Sequence, residues 1–370
     1  EAYSKAMNGE YSLVRLTTRY GSRPLPRVSI VDLREELKAG NRSVLSRELR
    51  QKMKGRFEKK EQVMLFLNRR GYAGFVSCRS CGEAIKCPHC DVTLTLHRNG
   101  RMMCHYCGYT MEQPKVCPSC GSRYIAPFGT GTQKIETMAA ERFPDARILR
   151  MDLDTTSKKG GHQEILSAFA RGEADILIGT QMIVKGHDFP KATLVGALAA
   201  DLSLFASDYR CGEQTFALLT QAAGRSGRGR LQGDVVIQTY QPDHYCIQAA
   251  AKQDYEAFYE EEIRYRTMMG YPPAENLLAV FISSADEALL ETGCRYLKEY
   301  MIKAKKDIEA SVIGPASPGI EKINDVYRKV IYVKTADYHD LVVLKDRTEK
   351  YIEINSGFDK MRIQFDFNPM

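Results

Sequence analysis

The chain has 370 residues, 44% of them apolar, with 53 Lys+Arg against 46 Asp+Glu and a formal charge of +7. That length exceeds what one hydrophobic core usually holds, so two or three domains are expected. The longest apolar runs, such as Ala192 to Ala200, fall far short of the about 20 residues that cross a bilayer, which excludes a helical membrane span.

Short apolar strands alternate with helices as a parallel α/β sheet requires. Val28 to Asp32 reads as a strand, Ser46 to Glu61 as a helix and Val63 to Leu67 as a strand. Charge is concentrated here: residues 1–74 hold 17 Lys+Arg against 8 Asp+Glu, and the remainder 36 against 38. The run Arg42, Arg47, Arg50, Lys52, Lys54, Arg56, Lys59, Lys60 is either a phosphate-binding surface or a solvated helix face.

Four CxxC pairs follow: Cys78/Cys81, Cys87/Cys90, Cys104/Cys107 and Cys117/Cys120. Two cysteines separated by two residues can direct both thiolates at one ion, and a tetrahedral ion needs two such pairs. Eight cysteines therefore predict two four-thiolate zinc sites, grouped either as nested or as sequential pairs. Disulfides would require an oxidising compartment, and the chain shows no signal peptide; an iron–sulfur cluster fits paired knuckles less well than a tetrahedral ion. Each site contributes a charge of −2, which brings the metal-loaded chain to about +3. His89, His97 and His105 are expected at the surface, since eight thiolates already complete both sites.

Beyond the cysteines the alternation resumes with a helix from Gln133 to Arg142, strand Ile148 to Met151, helix Gln163 to Arg171 and strand Ile176 to Gly179. Strand Thr193 to Ala199, helix Gln214 to Ala223 and strand Val235 to Thr239 complete it. From about Asp254 the pattern changes. A helix and a Tyr271-Pro272-Pro273 break lead to strands near Leu278 to Ile282, Lys329 to Val333 and Arg362 to Phe367, with helices near Ala288 to Lys305 and His339 to Ile352. The expected domains are a lobe over residues 1–74 and 124–253, a zinc insert over 75–123 and an α+β domain over 254–370. An apolar strand running into Asp286-Glu287 imitates a metal-binding strand end, but Ser284 is expected to cap a helix there. Lys298, Lys303, Lys305 and Lys306 either meet DNA or form a solvated face, the second being the expectation.

Two segments carry motor chemistry. Gln221-Ala222-Ala223-Gly224-Arg225-Ser226-Gly227-Arg228 matches QxxGRxGR, the sixth motif of superfamily 2 helicases, in which two arginines three apart reach a nucleotide and stabilise charge on its γ-phosphate. Some 40 residues earlier, Ile176-Leu177-Ile178-Gly179-Thr180-Gln181 followed by Lys185-Gly186-His187-Asp188-Phe189-Pro190 has the form of the fifth motif, a strand ending in a Gly-Thr turn that can hold a DNA phosphate.

With those motifs, the cysteines between them, Phe66-Leu67-Asn68-Arg69-Arg70-Gly71-Tyr72, Phe128-Gly129-Thr130-Gly131-Thr132-Gln133, Arg150-Met151-Asp152-Leu153-Asp154-Thr155-Thr156, Tyr271-Pro272-Pro273 and Phe365-Asp366-Phe367-Asn368-Pro369, the chain resembles the primosomal protein N′ (PriA) family of bacterial replication-restart helicases. The resemblance implies a RecA-like second helicase lobe, a doubly wound parallel sheet, with an inserted double-zinc module and a C-terminal α+β domain. It implies nested zinc sites, Cys78, Cys81, Cys117 and Cys120 in one and Cys87, Cys90, Cys104 and Cys107 in the other. Arg225 and Arg228 take the catalytic role, while Gly186, Asp188 and Gln221 face the nucleotide. Asn68, Arg69, Thr130, Thr132, Thr180 and Gln181 contact DNA, although Thr130 or Thr132 would serve equally as a helix cap. Implied cofactors are two Zn2+, with ATP and Mg2+ in the full-length enzyme. Implied partners are forked and single-stranded DNA, single-strand DNA-binding protein, and primosome and helicase-loading proteins, in the cytoplasm beside the nucleoid and without membrane. The sequence contains no GxxxxGK[ST] phosphate loop. The first lobe is accordingly expected outside this chain, which would be inactive alone. The alternative is a non-catalytic zinc-dependent DNA- or protein-binding module.

Overall fold

A computed structural model describes every residue except 16–23, 68–73, 98, 128–130, 153, 157–159, 185–188, 228–231, 307 and 370. The chain divides into two compact units, one formed by Arg15–Ile85 and Pro114–Tyr259, the other by Glu1–Val14, Lys86–Gln113 and Glu260–Met370. The cysteine-rich stretch expected as one insert is thus shared between them.

The first unit is built on six strands, β1 (Arg27–Asp32), β2 (Gln62–Leu67), β3 (Ile148–Met151), β4 (Ile176–Gly179), β5 (Ala192–Leu198) and β6 (Asp234–Thr239). Their order is β1-β6-β5-β2-β4-β3, and every pairing is parallel. Strands β2, β4 and β5 are buried at every position, which is why they read as continuous apolar runs rather than alternating ones. Helices Arg47–Glu58, Thr132–Arg142, Gly161–Arg171 and Cys211–Ala223 cross over between strands. Ser46 caps the first of them, accepting from the Leu49 amide, and Leu49 and Met53 pack into the core.

The helix Arg47–Glu58 is not a uniformly free basic face. Arg56 is paired with Glu61 and Asp234, Arg47 with Glu36, and Lys52 with Glu48.

In the second unit, β7 (Asn276–Ser284), β8 (Ser311–Ala316), β9 (Val326–Thr335) and β10 (Arg362–Phe367) form an antiparallel sheet in the order β8-β9-β7-β10. Alternation divides its faces. Leu278, Val280, Ile282, Ile331 and Val333 pack with Leu290, Leu297, Met301, Leu341 and Leu344 from helices Glu287–Ala304 and Tyr338–Glu353. Ala279, Phe281, Val330 and Tyr332 point the other way, where Tyr106 of a cysteine knuckle stacks on Tyr332. Asp286 lies at the cap of helix Glu287–Ala304, accepting from the Leu289 amide at 3.0 Å. The Asp-Glu pair is therefore a helix start, but the capping residue is Asp286 rather than Ser284, whose buried hydroxyl bonds the Lys360 carbonyl. No described helix is long and apolar enough to cross a membrane.

Candidate functional site: two thiolate clusters and two edges of one sheet

The four CxxC segments share one local geometry. In each, the amide after the second cysteine donates to the carbonyl of the first: Gly82 to Cys78, Asp91 to Cys87, Gly108 to Cys104 and Gly121 to Cys117, at 2.9 to 3.0 Å. Closing this turn needs a left-handed residue, with φ of +83°, +80° and +70° at the glycines and +51° at Asp91, a residue type that tolerates it. Gly82 is doubly constrained, because a Cβ there would fall 2.1 Å from the Tyr240 carbonyl oxygen.

The eight sulfurs gather into two groups, Cys78, Cys81, Cys117 and Cys120, and Cys87, Cys90, Cys104 and Cys107, each within 4.8 Å. Within them Cys78–Cys120 and Cys81–Cys117 are 3.7 Å apart and Cys87–Cys107 3.5 Å. A tetrahedral zinc with bonds of about 2.3 Å has sulfur–sulfur edges of about 3.8 Å, so both donor sets fit that ion in the nested grouping. Burial pushes the Cys81 and Cys87 thiols up to about 12, whereas the hydrogen bond from Cys90 holds Cys104 down at about 5. Four thiolates crowded together need a cation to lose all their protons.

The two clusters stand on different foundations. The outer one belongs to the α/β lobe: its strands Val76–Cys78 and Ile125–Pro127 pair with each other, the Gln241 amide donates to the Gly82 carbonyl at 3.0 Å, and the Arg79 guanidinium lies over the Tyr240 ring. The inner one belongs to the C-terminal unit. Tyr106 stacks on Tyr332 at 4.9 Å, the Tyr271 hydroxyl donates to the Cys90 carbonyl at 3.0 Å, and the Lys334 ammonium sits 3.5 Å from the Tyr271 ring centre. His105 is buried rather than superficial, with Nδ1 2.7 Å from the Ser317 carbonyl, and burial holds its pKa down. This differs from the surface position expected, because nothing in the cysteine spacing shows what the knuckle packs against. Tyr106 and Tyr271 carried no spacing signal for their role, although Tyr271 had marked a break.

The helicase-like motifs occupy opposite ends of the parallel strands. Thr180 and Gln181 follow the carboxyl end of β4, both half-buried. At the amino ends of β5 and β6, the buried Ser226 hydroxyl bonds the Thr193 and Asp234 carbonyls at 2.9 and 3.0 Å, and the Gly227 amide reaches the Ala192 carbonyl. This clamps the Gly224–Gly227 turn across the start of both strands, with Arg225 half-buried within it. Gln221 is exposed on the preceding helix. Thr132 is buried at the first position of its helix, after the cap Gly131, and its hydroxyl donates to Asp152 at 2.7 Å. Asn68, Arg69, Thr130, Gly186, Asp188 and Arg228 lie outside the described residues.

Three family models match the chain: the PriA DNA helicase Cys-rich region domain over residues 87–111, the helicase conserved C-terminal domain over 125–230 and the primosomal protein N C-terminal domain over 267–370. Replication restart protein PriA of Bacillus subtilis is 44% identical across 100% of this chain and 46% of its own length. That of a Synechocystis strain is 44% identical across 91% and 41%, and that of Haemophilus influenzae 33% across 100% and 50%. The chain spans about half the length of these relatives.

Proposed function

Over the part that it spans, the chain belongs to the family of replication restart proteins PriA, and on that premise we propose that it is the second-lobe portion of an ATP-dependent 3′ to 5′ DNA helicase that recognises forked or stalled replication DNA and starts primosome assembly. The observation that carries this reading is the clamped Gly224–Gly227 turn at one end of the sheet with the Gly-Thr turn at the other.

In this reading Arg225, from the amino edge, and Arg228 stabilise the charge spreading over the γ-phosphate of a nucleotide held against a first lobe. Gly186, Asp188 and Gln221 position the nucleotide, and the phosphate-loop lysine and Mg2+ ligands come from outside this chain. Asn68, Arg69, Thr130, Thr180 and Gln181 hold strand phosphates, so that opening and closing of the cleft moves the strand. Thr132 is better read as positioning, because its hydroxyl is already committed to Asp152. Cys78, Cys81, Cys117 and Cys120 hold one Zn2+ and Cys87, Cys90, Cys104 and Cys107 the other, each closing a knuckle too small to fold on an apolar core. Single-strand DNA-binding protein, primosome and helicase-loading proteins are the proposed partners, and the cytoplasm the proposed location.

Arg225→Ala in the full-length protein tests the motor. DNA-stimulated ATP hydrolysis is expected to fall on the order of 10³-fold; an unaltered rate sinks the assignment and leaves a non-catalytic DNA- or protein-binding module.

A further inference from the structure

At the amino ends of β2, β3, β4 and β5, between helices Arg47–Glu58 and Thr132–Arg142, lies a cleft of about 930 Å³. Cations dominate its lining. Two of them are neutralised, Arg147 by Asp175 at 2.8 Å and Arg47 by Glu36 at 3.0 Å. Five others, Arg50, Lys54, Lys60, Arg142 and Lys191, have no carboxylate partner among the described residues, and all but the half-buried Arg50 are exposed. Helical spacing brings Arg50 and Lys54 to one face of their helix.

Like charges gathered around a concavity repel one another, and nothing in the fold requires five of them there; an anionic ligand would relieve that repulsion. The wall adds a second feature. Phe57 and Phe143, half-exposed, meet edge to face at 5.2 Å between ring centres and rest on the core. Aromatic surface beside cations suits unpaired bases on a phosphate backbone, since bases stack while lysine and arginine neutralise phosphates. A duplex keeps its bases enclosed and would not use the rings. The volume accommodates a few nucleotides rather than one phosphate.

We propose that this cleft is a binding site for single-stranded nucleic acid, separate from the contacts assigned to Thr180 and Gln181 at the carboxyl edge. It stands on charge and shape at the amino edge and does not depend on the motor assignment.

The test is fluorescence anisotropy of the zinc-loaded chain with a labelled oligothymidylate over a salt series. Neutralising five cations contributes about −3.5 to the slope of log K against log salt for a single strand. Lys54→Ala/Lys60→Ala/Lys191→Ala is expected to remove about 2 from that slope and to weaken binding at least tenfold at low salt. Lys303→Ala/Lys306→Ala/Lys350→Ala, exposed positions in the other unit, should leave the slope nearly unchanged. A base-free sugar–phosphate strand should keep the slope but bind more weakly. Unchanged affinity and slope in the first triple variant overturns the inference, as does an acidic peptide that binds there while the strand does not. Thr180→Ala/Gln181→Ala reports the carboxyl edge independently: if it alone loses binding, the helicase contacts stand and the cleft proposal falls.

Discussion

Replacing Tyr271 by phenylalanine removes one oxygen from a fully buried side chain and should loosen the inner cysteine knuckle from the sheet it covers. The hydroxyl donates to the Cys90 carbonyl at 3.0 Å, and burial raises its pKa so far that it remains a neutral donor at any working pH. Its loss leaves a carbonyl unpaired beside a metal ligand, a cost of about 1–3 kcal/mol. For a unit of this size each kcal/mol shifts the midpoint by about 2–4 °C, so a fall of about 2–12 °C is expected in that unit's transition. Tyr271→Ala additionally removes the ring beneath the Lys334 ammonium and beside Tyr106, and should cost about 3–5 kcal/mol more. The assays are calorimetry of the zinc-loaded chain and zinc release followed with a chromogenic chelator. One of two zinc equivalents should leave faster, the other at the original rate. If Tyr271→Phe matches the unmodified chain in both, the knuckle does not depend on this contact and the reasoning fails.

Glu262→Gln removes the carboxylate that pairs with the buried Arg266 guanidinium at 2.7 Å, although Arg266 keeps its bond to the Pro272 carbonyl, and is expected to destabilise by about 3–5 kcal/mol in urea titrations. Gly82→Ala combines a forbidden φ with a clash on Tyr240 and should lower outer-site zinc retention while leaving the inner site intact, read by metal analysis after dialysis. A zinc chelator should unfold both knuckles yet spare the helical signal of the α/β lobe; circular dichroism without any change would count against structural zinc. The Arg147 guanidinium holds the Asp175 carboxyl below its ordinary 3.8. Its stabilising effect is therefore present above that pH and lost as pH falls through the depressed value, and the difference between the chain and Arg147→Ala should vanish in acid. A difference that grows on acidification would contradict the pairing.

The parallel sheet was legible because β2, β4 and β5 are apolar apart from Gln62 and Thr193, and period and length together separate buried strands from helices. Strand β8 escaped notice: Ser311–Ala316 contains Gly314 and Pro315 and is only partly buried, so it offers neither alternation nor a continuous apolar run. CxxC spacing picked out the eight cysteines whose sulfurs gather but left their grouping open, because it constrains each knuckle locally and is silent about which knuckles meet. The face that a knuckle presents to a sheet depends on residues far away in sequence. His105, between Cys104 and Tyr106, gave no hint of its bond to Ser317.

Residues 86–113, Tyr106 among them, are synthesised long before Tyr271 and Tyr332, against which they pack. During that interval the nascent inner knuckle has metal but no sheet to cover, and its aromatic side is bare. A shortened chain ending near residue 259 would hold the molecule permanently at that stage. Such a truncation removes more than a terminal domain: it leaves an uncovered patch in the middle of the sequence, and any stickiness of the product would originate there.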